Sequence, residues 1–283
     1  MDFTLTVRLN NGVEMPRLGY GVFRMKEGGQ VEKAVKQALK VGYRSIDTAY
    51  MYHNEEGVAK GIKASGVPRD EIFITTKLGN ERQGYASAKQ AIYESLKLLN
   101  TDYLDLYLIH WPLGKVSLEA WKAMEELYEE GLIRAIGVSN FNIHHLDYLL
   151  LNSRITPAVN QVELHPYNAQ PELAGYCHDK NIQLVSWSPL MVGKVTKIPE
   201  IIELAKKYKK SPAQITLRWN LQKGYIPIPK TENPERMKSN FDIFDFDMSE
   251  QDVKIIDGLN KDQPIVNRRD RIIHLLQMLQ SMK

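Results

Sequence analysis

The chain has 283 residues, of which 43% are apolar and 25% are charged, so it can bury a large core and is not dominated by disorder. The formal charge of +3 is too small to indicate nucleic-acid binding, and the lone cysteine, Cys177, cannot form a disulfide within the chain, so a reducing compartment is expected. The first residues lack the apolar stretch of a secretion signal, and no run approaches the roughly 20 apolar residues of a membrane span, so we expect a soluble cytoplasmic protein.

An Asn-Gly turn near the start of the chain separates two short strand-like runs. Residues 4–9 and 13–15 flank Asn10-Asn11-Gly12, which predicts an N-terminal β-hairpin within residues 1–17. After it, short apolar segments typical of strands alternate with longer segments of helical periodicity. The predicted strands are 18–22, 43–47, 71–77, 104–109, 133–138, 158–163, 182–187 and 225–228. The predicted helices are 29–41, 54–65, 86–99, 117–130, 142–152, 170–180 and 197–223, the last divided at Ser211-Pro212, which can begin a new helix.

Eight strands, each followed by a helical segment, favour one α/β domain over residues 1–283 that folds as a (β/α)8 TIM barrel, with extra helices near the C-terminus. The alternative, an open doubly wound sheet, needs a glycine-rich phosphate loop after an early strand. Gly19-Tyr20-Gly21 is followed by Val-Phe-Arg without a third glycine, so the dinucleotide-binding fingerprint of that fold is missing. The barrel is therefore the predicted fold.

The end of the chain differs in character from the rest. Residues 264–283 contain the basic run Asn267-Arg268-Arg269-Asp270-Arg271, followed by an amphipathic pattern. Its apolar residues lie on one helical face: Ile272, Leu275, Leu276, Leu279 and Met282. This pattern predicts a terminal helix that docks on the barrel. Association with another chain and contact with a membrane surface are the alternatives.

Four polar residues of complementary acid–base type lie at or just after the ends of three successive predicted strands. Asp47 and Tyr52 lie in YRSIDTAYMY, Lys77 in FITTKL and His110 in LYLIHWP. Since the carboxyl ends of the strands meet at one face of a barrel, these side chains should converge there. We interpret them as a candidate catalytic group that protonates a carbonyl oxygen.

A tyrosine is a poor proton donor at neutral pH, because its ordinary pKa is about 10. An ammonium at Lys77 would lower the pKa of Tyr52, a carboxylate at Asp47 would keep Lys77 charged, and His110 would orient the substrate oxygen. Taken singly, each residue also has a structural explanation in packing, solvation or helix capping. The histidines show no metal-ligand spacing such as HExxH, so no metal site is predicted.

Seven segments of the chain, in order, resemble the aldo-keto reductase superfamily between Gly12 and about Asp262. They are DTAYMYHNEEGV, FITTKL, DLYLIHWP, AIGVSNF, NQVELHP, WSPL and IPKTENPERMKSNFDIF. The resemblance is to the prokaryotic-type branch of glyoxal, methylglyoxal and diketogluconate reductases. It implies a (β/α)8 barrel that uses NADPH, bound without a Rossmann domain, to reduce aldehydes and ketones. It also implies that the family's catalytic tetrad corresponds to Asp47, Tyr52, Lys77 and His110.

The resemblance further implies which positions bind NADPH/NADP+. Ser139, Asn140 and Gln161 would contact the nicotinamide carboxamide, and Trp187, where the family usually has tyrosine, would stack on the nicotinamide ring. Lys230 and Arg236 resemble the pair that grips the adenosine 2′-phosphate, which favours NADPH over NADH. The remaining cofactor positions are Val22 and Asp47, Ser188 and Leu190 along the pyrophosphate, Thr231, and Asn240 at the adenine.

The positions that line the family's substrate pocket correspond to Phe23, Met51, Tyr52, His110 and Trp111. Gly79 stands where many members have tryptophan, so one wall of the pocket is expected to be missing. The loop after Trp111-Pro112 is also short, since Leu113 to Val116 lead directly into a predicted helix. Both features predict a shallow, open pocket.

The sequence therefore predicts NADPH-dependent reduction of a small-molecule aldehyde or ketone, with Tyr52 as the proton donor. An NADPH-binding sensor or regulatory subunit with slow turnover is the alternative from another class, and alcohol oxidation is the reverse use of the same site. The family's usual state predicts a monomer, whereas the apolar tail makes a dimer the alternative. Neither a nucleic-acid partner nor a membrane span is expected.

Overall fold

The computed structural model describes residues 5–266. The first element in this part of the chain is a β-hairpin. In it β1 (Thr6–Arg8) pairs antiparallel with β2 (Glu14–Pro16), which confirms the predicted N-terminal hairpin. Met15 is 1% exposed and packs with apolar side chains of the barrel strands. The Asn10 side-chain amide donates to the carbonyl of Pro157 at 3.0 Å. The hairpin thus covers the amino-terminal end of the barrel and leaves the opposite end free for a site.

Eight parallel strands form the centre of the fold. They are β3 (Tyr20–Gly21), β4 (Ser45–Asp47), β5 (Phe73–Leu78), β6 (Leu106–Ile109), β7 (Ile136–Ser139), β8 (Val159–Glu163), β9 (Gln183–Trp187) and β10 (Ile226–Pro227). Each strand pairs with the next one along the chain, from β3 to β10. This order is the one that alternating strands and helices predict for a barrel.

The seam between the first and last barrel strands closes the sheet. Gly19 N donates to Pro227 O at 3.0 Å, and Gly21 N donates to Pro229 O at 3.1 Å. The predicted (β/α)8 barrel is therefore confirmed. Both seam strands are shorter than predicted, because the two prolines have no N–H to donate and the ladder between these strands holds few bonds.

Helices form the outer layer. They are α1 (Gly29–Val41), α2 (Glu55–Ser65), α3 (Tyr85–Leu98), α4 (Lys115–Glu129), α5 (Ile143–Leu150), α6 (Pro171–Asp179), α7 (Pro199–Tyr208), α8 (Pro212–Gln222), α9 (Pro234–Phe241) and α10 (Glu250–Asp257). Helix α8 begins at the predicted position. Ser211 caps its first turn and forms a capping box with Gln214. Most strands are followed by one helix, but β9 is followed by two, α7 and α8, and β10 is also followed by two, α9 and α10. This confirms the extra helices predicted near the C-terminus.

Residues 5–266 contain no helix that is long and apolar enough to cross a membrane. The amphipathic pattern predicted for residues 264–283 falls almost entirely outside the described residues. The docked terminal helix and the dimer alternative therefore stay predictions.

Candidate active site

The alternation of side chains along each strand decides which residues reach the barrel interior. Phe73 on β5 and Leu106 on β6 belong to the apolar cluster inside the barrel. Lys77 follows Phe73 by four residues and His110 follows Leu106 by four, so both point to the same inner face at the carboxyl ends of their strands. Gln161 follows the interior residue Val159 by two and Trp187 follows Val185 by two, so they point to the same inner face from β8 and β9. These side chains therefore form a layer at the carboxyl ends of the strands, next to the apolar interior of the barrel.

The centre of this layer is a buried ion pair. Lys77 is 1% exposed and Asp47 is 3% exposed. Lys77 Nζ donates to Asp47 Oδ1 at 2.6 Å and to Thr48 O at 2.8 Å. The Tyr52 hydroxyl lies 3.5 Å from the same Nζ, which is longer than an ordinary hydrogen bond. The ammonium is thus shared between a carboxylate on one side and a phenol on the other.

Tyr52 reaches the ammonium from a short 3₁₀ turn that spans Tyr50–Tyr52, three residues after β4. The turn ends at His53, whose left-handed backbone (φ 52°) reverses the chain into α2. On the open side of Tyr52, the Phe23 ring packs at a centroid distance of 4.9 Å. This packing holds the Tyr52 ring over the barrel mouth.

Burial dominates the acid–base behaviour of the pair. For Lys77 burial opposes the charged form, but the Asp47 carboxylate, Tyr52 and the hydrogen bonds together outweigh it, so the pKa of Lys77 is raised. Burial also raises the pKa of Tyr52, and Lys77 offsets this only in part. The expected net lowering of the Tyr52 pKa is therefore wrong. The ammonium acts in the predicted direction, but desolvation of the phenolate is the larger effect.

His110 is neutral at physiological pH. Burial, and secondarily the Lys77 charge, lowers its pKa to about 3. Its ring lies 5.8 Å from the Tyr52 ring, centroid to centroid, in an edge-to-face arrangement. Among the described residues, no group bonds to its buried Nδ1. A neutral imidazole beside a phenol can donate one hydrogen bond to an oxygen placed between them.

The predicted nicotinamide residues form one hydrogen-bonded network with this centre. Gln161 Nε2 donates to Asp47 Oδ2 at 2.7 Å, so Asp47 holds Lys77 through one oxygen and Gln161 through the other. Ser139 Oγ donates to Gln161 O at 2.9 Å. Asn140 Nδ2 donates to both Ser139 Oγ and His110 O at 3.0 Å. The structure thus brings these predicted positions together.

Trp187 joins the same network from β9. Its indole Nε1 donates to Asn140 Oδ1 at 3.0 Å, which fixes the plane of the ring beside the amides. Asn140 and Ser188 have left-handed backbones, with φ of 64° and 53°. Such conformations in non-glycine residues are strained and concentrate at functional sites. Amides beside an aromatic plane match the donors and acceptors of a nicotinamide carboxamide and ring, so these residues fit that group.

The predicted 2′-phosphate residues lie on the surface. Lys230 Nζ donates to Glu232 Oε1 at 2.6 Å, and Gln30 Nε2 donates to the other Glu232 oxygen at 2.6 Å. Arg236 is exposed in the first turn of α9, where its N–H donates to the Asn233 cap at 2.9 Å. The sequence interpretation missed Glu232 and Gln30. The acidic residue two positions after Lys230 was the available signal.

The other predicted cofactor positions border these two regions. Val22 is buried and its N–H donates to Asp47 O at 3.1 Å. Leu190 is half-buried, Thr231 accepts the Tyr20 hydroxyl on its carbonyl, and Asn240 is 3% exposed. They extend from the catalytic layer toward α9.

The predicted substrate positions surround the mouth of the barrel. Phe23 is 53% exposed and Met51 is 37% exposed. Trp111 is half-buried, and its carbonyl accepts from Gln83 Nε2 at 2.8 Å. The gap expected at Gly79 is not found. Gly79 is buried, and the Tyr50 ring takes the space beside it.

A sequence profile for the Aldo/keto reductase family matches residues 17–261. The chain belongs to this family. It is 52% identical to "Glyoxal reductase" from Bacillus subtilis over 268 residues, which cover 95% of this chain and 97% of that protein. It is 46% identical to "Methylglyoxal reductase DkgA" from Escherichia coli over 259 residues, which cover 90% of this chain and 93% of that protein.

A solved structure gives the same result for the fold. The Bombyx mori aldo-keto reductase, crystallised in complex with NADP, superposes with a TM-score of 0.88 at 38% identity, over 94% of this chain and 95% of that one. The resemblance to the prokaryotic-type reductases is therefore confirmed, and the protein is an oxidoreductase of this family. Within residues 5–266, no group of three or more His, Cys, Asp or Glu side chains is arranged to hold a metal ion.

Proposed function

We propose that this protein reduces small aldehydes and dicarbonyl compounds to alcohols with NADPH, and that Tyr52 donates the proton. One observation carries the proposal. The buried Lys77 ammonium bonds to the Asp47 carboxylate at 2.6 Å and lies 3.5 Å from the Tyr52 hydroxyl. Membership of the aldo/keto reductase family supports the reaction class.

Each of the four side chains has its own role in protonating the carbonyl oxygen. Tyr52 gives its proton to that oxygen while the carbonyl carbon accepts a hydride, so the product is an alcohol. Because its pKa is raised, Tyr52 is fully protonated at neutral pH. The Lys77 ammonium stabilises the phenolate that remains, and Asp47 keeps Lys77 charged. Neutral His110 donates a hydrogen bond that holds the oxygen toward Tyr52.

NADPH supplies the hydride when it is bound. Ser139, Asn140 and Gln161 would hold its carboxamide, and Trp187 would stack on the nicotinamide ring. Lys230 and Arg236 would bind the 2′-phosphate, a contact that NADH cannot make. The NADP complex of the Bombyx mori relative, which covers 94% of this chain, supports the choice of cofactor.

The proposed substrate class is supported by the names of the relatives and by the side chains around the barrel mouth. Two relatives are named for glyoxal and methylglyoxal, both short dicarbonyl compounds. The exposed side chains of Phe23 and Met51 and the half-buried ring of Trp111 provide apolar contacts around a small carbonyl group. We expect turnover to be highest with short aldehydes and dicarbonyls.

The test is NADPH oxidation, followed by absorbance, with glyoxal, methylglyoxal, simple aldehydes and keto-sugars. Turnover of at least the short dicarbonyls, lost when NADPH is omitted, is the expected result. Tight NADPH binding without turnover of any compound would contradict the proposal and favour a cofactor-binding sensor. Turnover with NADH alone would contradict the cofactor assignment.

A further inference from the structure

Gly79 follows the strand that carries Lys77, and its neighbours leave no room for a side chain. A Cβ at this position would lie 2.9 Å from Tyr50 Cδ1 and 2.4 Å from Glu81 Oε1. Real Cβ contacts do not occur below about 3.0 Å, so the ring or the carboxylate would have to move. The backbone at Gly79, with φ −58° and ψ 141°, is open to any residue. Glycine is therefore required at this position because of the packing against Tyr50, and not because of the backbone conformation.

Tyr50 is held in this place from three directions. It begins the 3₁₀ turn that ends at Tyr52, so its backbone is fixed by the catalytic turn. Its ring lies 6.2 Å from the His53 ring, centroid to centroid, in an edge-to-face arrangement. The Arg82 guanidinium lies 5.7 Å from the ring centroid, and its Nη1 is 3.5 Å from the Tyr50 hydroxyl. Arg82 is itself paired with Glu94 on α3 at 3.1 Å.

The segment that meets Tyr50 also meets the other side of the mouth. After Gly79 the chain makes a 3₁₀ turn over Asn80–Arg82, and the next residue, Gln83, donates to Trp111 O at 2.8 Å. This segment therefore runs from the turn of Tyr52 to the loop of Trp111, along one side of the barrel mouth. Tyr50 occupies the space directly beside Gly79, where a side chain at this position would begin.

We propose that Tyr50 is a specificity-determining residue that forms the wall of the substrate site beside β5. This proposal rests on the proposed carbonyl reductase function. The phenol ring limits the size of the substrate on this side, and the Arg82 guanidinium beside the ring makes the wall polar. The site therefore selects short, polar carbonyl compounds and excludes aldehydes that carry a bulky apolar group in this direction.

The decisive variant is Tyr50→Ala, assayed with methylglyoxal as the short substrate and 4-nitrobenzaldehyde as the bulky one. Removal of the ring opens the wall, so the ratio of kcat/KM for the bulky over the short substrate should rise about tenfold or more. Tyr50→Phe keeps the ring and should leave the ratio within about twofold of the parent. Tyr93→Ala is the control, because this tyrosine is 51% exposed on α3 and outside the mouth.

A second measurement distinguishes an effect of Tyr50 on the shape of the substrate site from a general disturbance of the turn that carries Tyr52. Gly79→Ala should lower both the melting temperature and the kcat/KM for methylglyoxal, since the new methyl group meets the Tyr50 ring. The double variant Tyr50→Ala/Gly79→Ala should regain most of both losses. An unchanged substrate ratio in Tyr50→Ala, or additive losses in the double variant, would overturn the proposal. If the parent protein turns over no carbonyl compound, the proposed function itself fails, and this is seen before any variant is made.

Discussion

The two ends of the candidate cofactor site differ in how their charges are arranged before any ligand binds. At the catalytic end, Lys77 and Asp47 are buried within a network that continues through Gln161 to the nicotinamide positions. At the phosphate end, Lys230 is 36% exposed and paired with Glu232, which is 42% exposed. The first end is assembled in advance, whereas in the proposed mode of NADPH binding the second would exchange a carboxylate for a phosphate.

This difference has an energetic counterpart. Removing one partner of a buried ion pair leaves an uncompensated charge and costs about 3–5 kcal/mol. An exposed pair contributes only about 0–1 kcal/mol, because water and salt screen it. Substitutions at the catalytic end should therefore change stability and turnover together, and substitutions at the phosphate end should change cofactor affinity alone.

Lys77→Met should have the largest effect. It leaves the Asp47 carboxylate buried without its cation, so the free energy of unfolding should fall by about 3–5 kcal/mol. Turnover should fall by a factor of at least about 100, because nothing then stabilises the Tyr52 phenolate. Denaturant unfolding and NADPH oxidation measure the two losses.

The double variant Asp47→Asn/Lys77→Met serves as the control for Lys77→Met. It should recover much of the lost stability, since the orphaned charge is gone, but none of the turnover. Recovery of turnover as well would show that Lys77 acts only as a structural counter-ion.

Arg236→Ala should weaken NADPH binding by about tenfold or more, because a charged hydrogen bond to the 2′-phosphate is worth about 1.5–3 kcal/mol. NADH binding and the melting temperature should stay unchanged. Fluorescence titration with both cofactors measures this. An equal loss of affinity for NADH would show that Arg236 does not contact the 2′-phosphate.

Glu232→Gln should have the opposite and smaller effect. It removes the carboxylate that neutralises Lys230, so NADPH should bind about two- to fivefold tighter, in keeping with an exposed pair. NADH should be unaffected. Glu235→Gln is the matched control, because it removes an acidic charge nearby from a residue that pairs with Lys238 instead. An equal gain in both variants would mean that net charge, and not the Lys230 pairing, sets the affinity.

The pH dependence of reduction should show no histidine ionisation. The pKa of His110 is about 3 in the folded protein, below its ordinary value of about 6.5, so the ring is neutral at all higher pH. The kcat for reduction should therefore be flat from about pH 5 to pH 8. An inflection near 6.5 that disappears in His110→Gln would contradict a neutral His110.

The same depressed pKa has a consequence for stability. The unfolded ring takes up a proton below about pH 6.5, while the folded ring does not until about pH 3, so lowering the pH through this interval destabilises the fold. His110→Gln should remove this part of the acid sensitivity. Unfolding free energies at several acid pH values measure it, and an unchanged slope would count against the buried neutral ring.

The sequence was sufficient for features that depend on local pattern. Strand periodicity and alternation predicted the barrel and the convergence of Asp47, Lys77 and His110, because parallel strands deliver their carboxyl ends to one face. Features that depend on contacts between distant segments were not predictable. The net rise of the Tyr52 pKa depends on burial by the whole mouth, and Gly79 suggested a gap because nothing local shows that Tyr50 fills it. The Glu232–Lys230 pair could have been noticed, but its geometry depends on Gln30, 202 residues away.

In the proposed reaction the Tyr52 hydroxyl transfers the proton at the buried end, and this hydroxyl is not needed for cofactor binding. Tyr52→Phe tests this directly, since it removes one hydroxyl and leaves the Lys77–Asp47 pair in place. NADPH oxidation and NADPH binding should be measured on the same preparation. We predict turnover below about 1% of the parent rate, as expected for loss of a general acid, with an unchanged dissociation constant for NADPH. Retention of more than a few per cent of the rate, with NADPH bound normally, would contradict Tyr52 as the proton donor.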